Sequence, residues 1–197
     1  MSAAVAGPDG KLRCPWATSA PDYLDYHDEE WGRPIRARGA VADRVMYERM
    51  TLEAFQSGLS WLTILRKRPA FRSAFADFDL ETVACYGDSD VTRLLGDAGI
   101  VRNRAKIEAA IANARAALAL PDGLNKHIRT FTPASATKAP IALGDVPAQT
   151  PESVALAKDL RKRGFRFVGP TTLYALMQAT GIVNDHLVDC WRRNTSD

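Results

Sequence analysis

Hydrophobic residues recur at helical spacing along most of the chain, and almost no stretch alternates hydrophobic and polar residues as a half-buried strand does. The longest amphipathic segment covers residues 101–120, and its apolar positions form one stripe: Ile107, Ala110, Ile111, Ala114 and Leu118. A second segment runs through Met46, Met50 and Phe55 toward Leu59. This pattern predicts an all-α fold.

Proline, glycine and capping residues predict where the helices begin and end. Pro21 suits the first position of a short helix, and Pro69 is expected to end a helix over residues 60–67 and to start the next one. Other polar residues suit helix N-caps: Asp79, and Asp88 or Ser89. Residues 130–150 are rich in Pro, Ala and Thr, and we expect them to form a surface loop.

The length and composition fit one globular domain with a substantial core. The chain has 197 residues, of which 46% are hydrophobic. We assign residues 1–11 to a disordered N-terminal extension, residues 12–192 to a single domain and residues 193–197 to a C-terminal tail. Residues 1–10 lack the basic start and apolar core of a signal peptide, and no apolar run is long enough to span a membrane. These features predict a cytoplasmic protein without a membrane partner.

Charge and cysteine content narrow the possible partners only slightly. The formal net charge is +3 and the sequence pI is about 8.8, which permits nucleic-acid binding without requiring it. The three cysteines, Cys14, Cys85 and Cys190, are an odd number in a chain without an export signal, so disulfides are a poor interpretation. Metal ligation or simple burial fits them better.

A single carboxylate interrupts the otherwise uncharged residues 52–61. The helix that contains Glu53 is expected to break near Gly58, which brings Trp61 close to it across a tight bend. Because a buried carboxylate is costly unless it is paired, a cationic or donor-rich ligand would suit Glu53, and a flat one could stack on Trp61. On this segment alone, a solvated glutamate on an amphipathic helix beside a core tryptophan is the simpler interpretation.

A glycine-bounded turn at residues 164–170 lies between two predicted helices. Gly164 suits the position after a helix, and Pro170 suits the first position of the next one. Free N–H groups at a helix N-terminus favour a phosphate. Basic residues surround the turn: Lys158, Arg161, Lys162, Arg163 and Arg166. The turn therefore suits contact with a DNA backbone, although an ordinary helix–helix turn with solvated charges has the same pattern.

Two pairs of cysteine and histidine lie far apart in the sequence. His186 and Cys190 are four residues apart, which would place both on one face of a helix. Cys14 and His27 complete the Cys2His2 set of a closed tetrahedral zinc site, which requires the two ends of the chain to pack together. The alternative for each pair is a buried cysteine and a hydrogen-bonded histidine. A closed site has no open position for water, which argues against a metallohydrolase.

Several blocks, in order, resemble the DNA-3-methyladenine glycosylase I family of the helix-hairpin-helix superfamily. They span roughly residues 12–191. The blocks are Cys14-Pro15-Trp16 and residues 23–32, 52–61, 97–100, 102–107, 163–178 and 181–190. Because unrelated blocks agree in the same order, the resemblance is specific and covers nearly the whole chain.

The resemblance implies a helical bundle of the helix-hairpin-helix glycosylase type, with a zinc site that joins the N- and C-terminal segments. One structural zinc ion per chain would be held by four ligands: Cys14, His27, His186 and Cys190. The turn would contact the backbone of double-stranded DNA through six residues: Gly164, Phe165, Arg166, Val168, Gly169 and Thr171. Asn184 stands where many members of the superfamily carry a catalytic aspartate.

The resemblance also places a base pocket around Glu53. Tyr26 and Trp61 would stack on the extruded base, and Glu53 would accept hydrogen bonds from its edge. Glu53 and Tyr26 are the expected catalytic residues. The expected substrate-binding residues are Trp61, Tyr23, Trp16 and Trp31.

The implied activity is hydrolysis of the N-glycosidic bond of 3-methyladenine in alkylated duplex DNA, a step of base-excision repair. Adenine methylated at N3 is cationic in the nucleotide, so its leaving group is already activated, and electron-rich rings with a carboxylate select a cation. Thr171 stands where bifunctional relatives carry a Schiff-base lysine, which predicts a monofunctional enzyme. Free 3-methyladenine is the expected product ligand, and a monomer is the expected state. The alternative is a non-catalytic, zinc-containing DNA-binding module on the same scaffold.

Overall fold

The computed structural model describes residues 3–135 and 138–195, and these residues are mainly helical. They form nine α-helices: α1 (Pro21–Glu29), α2 (Gly39–Gln56), α3 (Trp61–Ala74), α4 (Leu80–Ala84), α5 (Asp88–Gly96), α6 (Arg104–Leu118), α7 (Leu124–Arg129), α8 (Pro151–Lys162) and α9 (Pro170–Ala179). Short 3-10 helices cover Pro15–Thr18, Ala76–Phe78 and Leu143–Asp145. The predicted all-α fold is confirmed, apart from one short antiparallel ladder of β1 (Val5–Ala6) and β2 (Leu12–Arg13).

Helix α2 lies at the centre of the bundle and contacts α3, α6, α7 and α9. Residues 50–55 are all buried, and α2 is contacted by four other helices. Phe55 packs edge-on against Phe71 of α3, with ring centroids 4.8 Å apart. The one carboxylate among residues 50–55, Glu53, is therefore carried on a rigid, fully packed element.

Two predicted helix boundaries are wrong. Helix α3 continues through Pro69, because Ile64 and Phe71 on either side of it are both fully buried, and this packing outweighs the roughly 3 kcal/mol cost of an internal proline. Helix α5 begins directly after Gly87, so Asp88 is its first residue and not its N-cap. The prediction for Asp79 is confirmed, since its side chain accepts a hydrogen bond from the Thr82 amide at 2.9 Å.

Part of the predicted N-terminal extension, residues 1–11, forms β1. Val5 pairs with Arg13, and Gly10 makes the turn between the strands with a φ of 79°. The buried Arg13 guanidinium donates to Asp9 and to Asp28 at 2.6 Å each, which ties the segment to α1. Residues 1–2 of the predicted extension and residues 196–197 of the predicted tail lie outside the described residues.

No helix within residues 3–135 and 138–195 is both long and apolar enough to cross a membrane.

Candidate active site and metal centre

The two ends of the chain meet in one buried Cys/His cluster, as the sequence predicted. Ligand atoms of Cys14, His27, His186 and Cys190 all lie within 4.8 Å of one another. The Sγ of Cys190 lies 3.4 Å from Nε2 of His27 and 3.5 Å from Nδ1 of His186. With bonds of about 2.3 Å to sulfur and about 2.0 Å to nitrogen, tetrahedral zinc separates such ligands by about 3.5 Å. The cluster therefore has the donor set and the spacing to hold a metal ion.

His186 and Cys190 do not lie on a helix, so the helical reason for pairing them is wrong. Residues 184–190 are irregular with a turn at residues 188–189, and the amide of Cys190 donates to the carbonyl of Leu187 at 2.9 Å. Leu187 is fully buried against Cys14 and Cys190. Packing of this leucine, rather than helical periodicity, brings the C-terminal pair to the N-terminal one.

Hydrogen bonds around the cluster orient its ligands. His27 Nδ1 lies 2.8 Å from Oδ1 of Asp28, whose carboxylate also binds Arg13, so Nε2 of His27 is directed at Cys190. A hydrogen bond from Cys14, together with the two imidazoles, holds the pKa of the Cys190 thiol well below its usual range. The same hydrogen bond and burial raise the pKa of the Cys14 thiol. A bound cation would allow both sulfurs to be thiolates.

A cavity of about 430 Å³ opens beside this cluster. Its lining includes every base-pocket residue predicted from the sequence, together with further residues: Trp16, Tyr23, Tyr26, Trp31, Glu53, Gln56, Trp61, Leu143, Val146, Ala175, Gln178 and Asp185. The size, the five aromatic residues and the four polar side chains of the lining are typical of a small-molecule or nucleobase site.

Packing against the metal ligands and helix α3 fixes the aromatic part of the lining. The ring centroids of Trp16 and His27 are 5.2 Å apart, and those of Trp31 and His186 are 4.6 Å apart, both edge-on. The Tyr23 hydroxyl accepts a hydrogen bond from the amide of Leu62 at 2.9 Å, which joins α1 to the first turn of α3. The cavity wall and the Cys/His cluster are therefore parts of one packed unit.

Glu53 is the only predicted pocket residue that carries a carboxylate, and the structure buries it. Its side chain is 7% exposed, so the interpretation as a solvated helix residue is wrong. Among the described residues it has no hydrogen bond or ion pair, and it lines the cavity. Desolvation raises the pKa of Glu53 to about 8, and the charge of Arg49 offsets this only in part. In the free protein the carboxyl is therefore mostly protonated at neutral pH.

A network of ion pairs beneath the cavity keeps the nearby arginines from pairing with Glu53. Arg49 lies 3.2 Å from Glu30 and donates to the carbonyl of Ala179 at 3.0 Å. Arg68 binds Glu30 and Glu48 at 2.6 Å each. Because these cations are already paired, Glu53 remains without a partner until a ligand enters.

The glycine-bounded turn has the predicted helix ends. Gly164 follows α8 with a φ of 90°, and Pro170 begins α9. Phe165 and Val168 are buried, so their side chains belong to the core. The predicted residues that remain at least partly exposed are Gly164, Arg166, Gly169 and Thr171. Phe167, which the sequence analysis did not select, is 42% exposed at a φ of 55°.

The side-chain amide of Asn113, on α6, holds this turn through both its nitrogen and its oxygen. Its Nδ2 donates to the Arg166 carbonyl at 3.0 Å, and its Oδ1 accepts from the Arg166 amide at 2.7 Å. Asn113 is 1% exposed. The only trace of this role in the sequence is a lone asparagine among the apolar positions of α6.

Sequence reasoning also missed a buried carboxylate in the cavity lining. Asp185 is 6% exposed, and its Oδ2 accepts from the Tyr174 hydroxyl at 2.6 Å and from Gln178 Nε2 at 2.8 Å. Its neighbour Asn184 is exposed, lies outside the cavity and donates to the carbonyl of Arg193. Because residues 184–190 are irregular, no periodicity showed which of the two adjacent side chains faces inward.

The chain matches known proteins over nearly its whole length. The profile of the methyladenine glycosylase family covers residues 16–193. DNA-3-methyladenine glycosylase 1 of Escherichia coli is 43% identical over 183 residues, which are 90% of this chain and 95% of that protein. DNA-3-methyladenine glycosylase of Haemophilus influenzae is 41% identical over 183 residues, 90% of this chain and 96% of that protein.

A solved structure with a similar fold contains a ligand. It is a tyrosine-to-phenylalanine variant of a 3-methyladenine DNA glycosylase I in complex with 3-methyladenine. The TM-score is 0.85 and the identity 31%, over 94% of this chain and 99% of that one. With the aromatic cavity and its buried glutamate, these matches show that the chain belongs to the methyladenine glycosylase family.

Proposed function

We propose that the chain hydrolyses the N-glycosidic bond between 3-methyladenine and deoxyribose in double-stranded DNA, which releases the free base and leaves an abasic site. The observation that carries the proposal is an aromatic cavity whose one buried glutamate, Glu53, has no partner among the described residues. Such a group fits a cationic base with donors on its edge. The relatives in E. coli and H. influenzae and the complex with 3-methyladenine support the same substrate.

The cavity residues divide the task of holding the base. Tyr26 and Trp61 supply ring faces for an extruded purine, and their centroids are 5.5 Å apart with planes at 47°. Glu53 accepts hydrogen bonds from the base edge, and the incoming positive charge favours its ionised form. Extrusion is required because the glycosidic bond otherwise lies inside the duplex stack.

We infer that the metal of the Cys/His cluster is one zinc ion per chain. Two thiolates and two imidazoles are a typical donor set for structural zinc, and four protein ligands leave no position for water. Cys14 and His27 would hold it from the N-terminal segment, with His186 and Cys190 from the C-terminal one. When bound, the ion supplies folding free energy and no chemistry at the base.

The duplex would lie against the turn between α8 and α9. Exposed backbone N–H groups at the start of α9 and the side chain of Arg166 suit phosphate oxygens. Phe165 and Val168 support this surface from the core. We propose that the protein acts on DNA as a monomer in the cytoplasm.

Base release from methylated duplex DNA tests the proposal against the non-catalytic alternative. DNA treated with a methylating agent is incubated with the protein, and the released purines are separated and identified. The proposed enzyme releases 3-methyladenine, whereas a DNA-binding module retains the DNA and releases nothing. Whether 3-methylguanine is also released is read from the same chromatogram.

The enzyme should be monofunctional. Pro170, Thr171 and Thr172 occupy the start of α9, and none of them has the amine that attacks C1′ to form an imine. We expect borohydride to trap no protein–DNA adduct during base release, and the abasic strand to stay intact until alkali is added. A covalent adduct that depends on borohydride would contradict this expectation.

Replacement of Asn113 should weaken DNA binding without affecting the cavity. Asn113→Ala removes both hydrogen bonds to Arg166, and we expect affinity for an undamaged duplex to fall about tenfold, because each such bond contributes roughly 0.5–1.5 kcal/mol. Affinity for free 3-methyladenine should stay within about twofold. Asn113→Asp is the matched control, since it keeps the acceptor for the Arg166 amide and should retain more affinity. Equal DNA affinity of all three proteins would remove this role from Asn113.

A further inference from the structure

We propose that Asp185 is a second catalytic carboxylate, which acts on the deoxyribose while Glu53 acts on the base. This inference rests on the proposed glycosylase function and deepens it. Both carboxylates line the same cavity, but different parts of the chain supply them. Glu53 comes from α2 among the aromatic residues, whereas Asp185 comes from the C-terminal segment beside α9.

The hydrogen bonds of Asp185 leave one oxygen available in the cavity. Tyr174 and Gln178 lie four residues apart on α9, so they share one helical face and donate to the same oxygen, Oδ2. Among the described residues, nothing donates to Oδ1. Oδ1 is not one of the fully buried polar atoms without a partner, so it retains access to the space of the cavity. The arrangement fixes the side chain and presents Oδ1 to a ligand.

The position of α9 places Asp185 nearer to the sugar of a flipped nucleotide than to its base. The helix begins at the turn proposed to bind the DNA backbone, and Gln178 lies eight residues after Pro170, about 12 Å along the axis at 1.5 Å per residue. A flipped nucleotide has its phosphates on that turn and its base among Tyr26 and Trp61. Its deoxyribose must lie between them, along the side of the cavity that α9 and Asp185 form.

The chemistry needs a fixed negative charge at this place. As the C1′–N9 bond breaks, its electron pair goes to the cationic base, which leaves as neutral 3-methyladenine. The positive charge moves to C1′ and the ring oxygen, as in other glycosidic cleavages. Water oxygen then bonds to C1′, and one of its protons passes to solvent. Oδ1 of Asp185 faces the developing sugar cation and accepts a hydrogen bond from the attacking water, which stabilises the transition state electrostatically.

The test is the single-turnover rate of base release from DNA that contains 3-methyladenine, with protein in excess. Asp185→Asn preserves the shape and removes the charge, and we expect the rate to fall about 100-fold or more. Affinity for free 3-methyladenine should stay within about twofold, because the sugar is absent from that ligand. Zinc content is measured in parallel, since His186 is the next residue. A zinc-loaded Asp185→Asn protein with the wild-type rate would overturn the proposal.

Tyr174→Phe decides the question if Asp185→Asn fails to fold or to hold its metal. It removes one of the two hydrogen bonds to Oδ2, and we expect a rate about tenfold lower with unchanged binding of free base. Tyr47→Phe is the matched control, because its buried hydroxyl donates to the Ala110 carbonyl at 2.9 Å, outside the cavity lining. Equal rates for the two phenylalanine variants would refute the role of Asp185. Absence of base release by the wild-type protein would instead refute the proposed function.

Discussion

Loss of one ligand from the Cys/His cluster should destabilise the whole protein. Cys14→Ala removes a donor from a buried site that ties residues near both ends of the chain together. Structural zinc contributes folding free energy directly, so we expect a loss of roughly 3–5 kcal/mol. For a chain of this size that corresponds to a melting temperature lower by about 10–15 °C. The measurements are thermal melting and elemental analysis of protein purified without chelator.

The third cysteine provides the control for this experiment. Cys85 is exposed and lies outside the cluster, so Cys85→Ala should keep one zinc ion per chain and melt within about 1 °C of the wild type. Cys14→Ala should lose the metal, and chelation of the wild-type protein should lower its melting temperature in the same way. Wild-type protein without zinc, or equal melting of the two alanine variants, would show that the cluster is not a structural metal site.

Cys14→Ala should also affect the base cavity, although less than it affects the stability of the fold. Trp16 and Trp31 pack edge-on against His27 and His186, so the metal ligands support part of the cavity wall. A folded fraction of the Cys14→Ala protein should therefore bind free 3-methyladenine more weakly. Metal centre and base site are distinct in chemistry, but they share side-chain contacts.

Features that depend on residue type and order could be predicted from the sequence. Helical spacing was enough for the all-α class, and Gly164 and Pro170 marked the two helix ends that flank the turn. Residue type narrowed the donors of the metal cluster to three cysteines and three histidines, and the pairing of Cys14 with His27 and of His186 with Cys190 selected four of them. The resemblance placed Glu53, Tyr26 and Trp61 together, and the structure puts all three on one cavity.

Features that depend on tertiary packing could not be predicted from the sequence. Pro69 is a strong local stop, yet buried residues on both sides keep α3 continuous through it. The inward direction of Asp185, rather than Asn184, follows from an irregular segment without periodicity. The burial of Phe165 and Val168 in a turn with many charges required knowledge of what packs beneath it. The upward shift in the pKa of Glu53 comes from the burial of its side chain, which residue type does not show.

Glu53→Gln should weaken base recognition and at the same time stabilise the free protein. The variant keeps the shape but replaces an anionic acceptor with a neutral amide. Hydrogen bonds to a charged group are worth roughly 1.5–3 kcal/mol, so affinity for free 3-methyladenine should fall about ten- to a hundredfold in titration calorimetry. The pKa of Glu53 in the free protein, about 8, lies above its value in the unfolded chain. Burial of this group therefore favours folding only while it is protonated.

The sign of the pH effect follows from that difference. The stability that protonated Glu53 contributes to the wild type is complete below about pH 4.5 and is lost as the pH rises through about 8. The Glu53→Gln protein has no such dependence. The two proteins should melt at similar temperatures at pH 5, whereas at pH 9 the variant should be more stable by up to about 5 kcal/mol.

Catalysis should have the opposite dependence on pH, because the ionised carboxylate is the form that accepts hydrogen bonds from a cationic base. For the wild type, kcat/KM for base release should rise with pH through an inflection near pH 8 and level off above it, since this parameter reports the pKa of the free enzyme. The cation lowers the pKa of Glu53 in the complex, so kcat should level off at a lower pH. The Glu53→Gln protein should lack the inflection. Parallel pH profiles for the two proteins, or equal affinity for free 3-methyladenine, would show that another group reads the base.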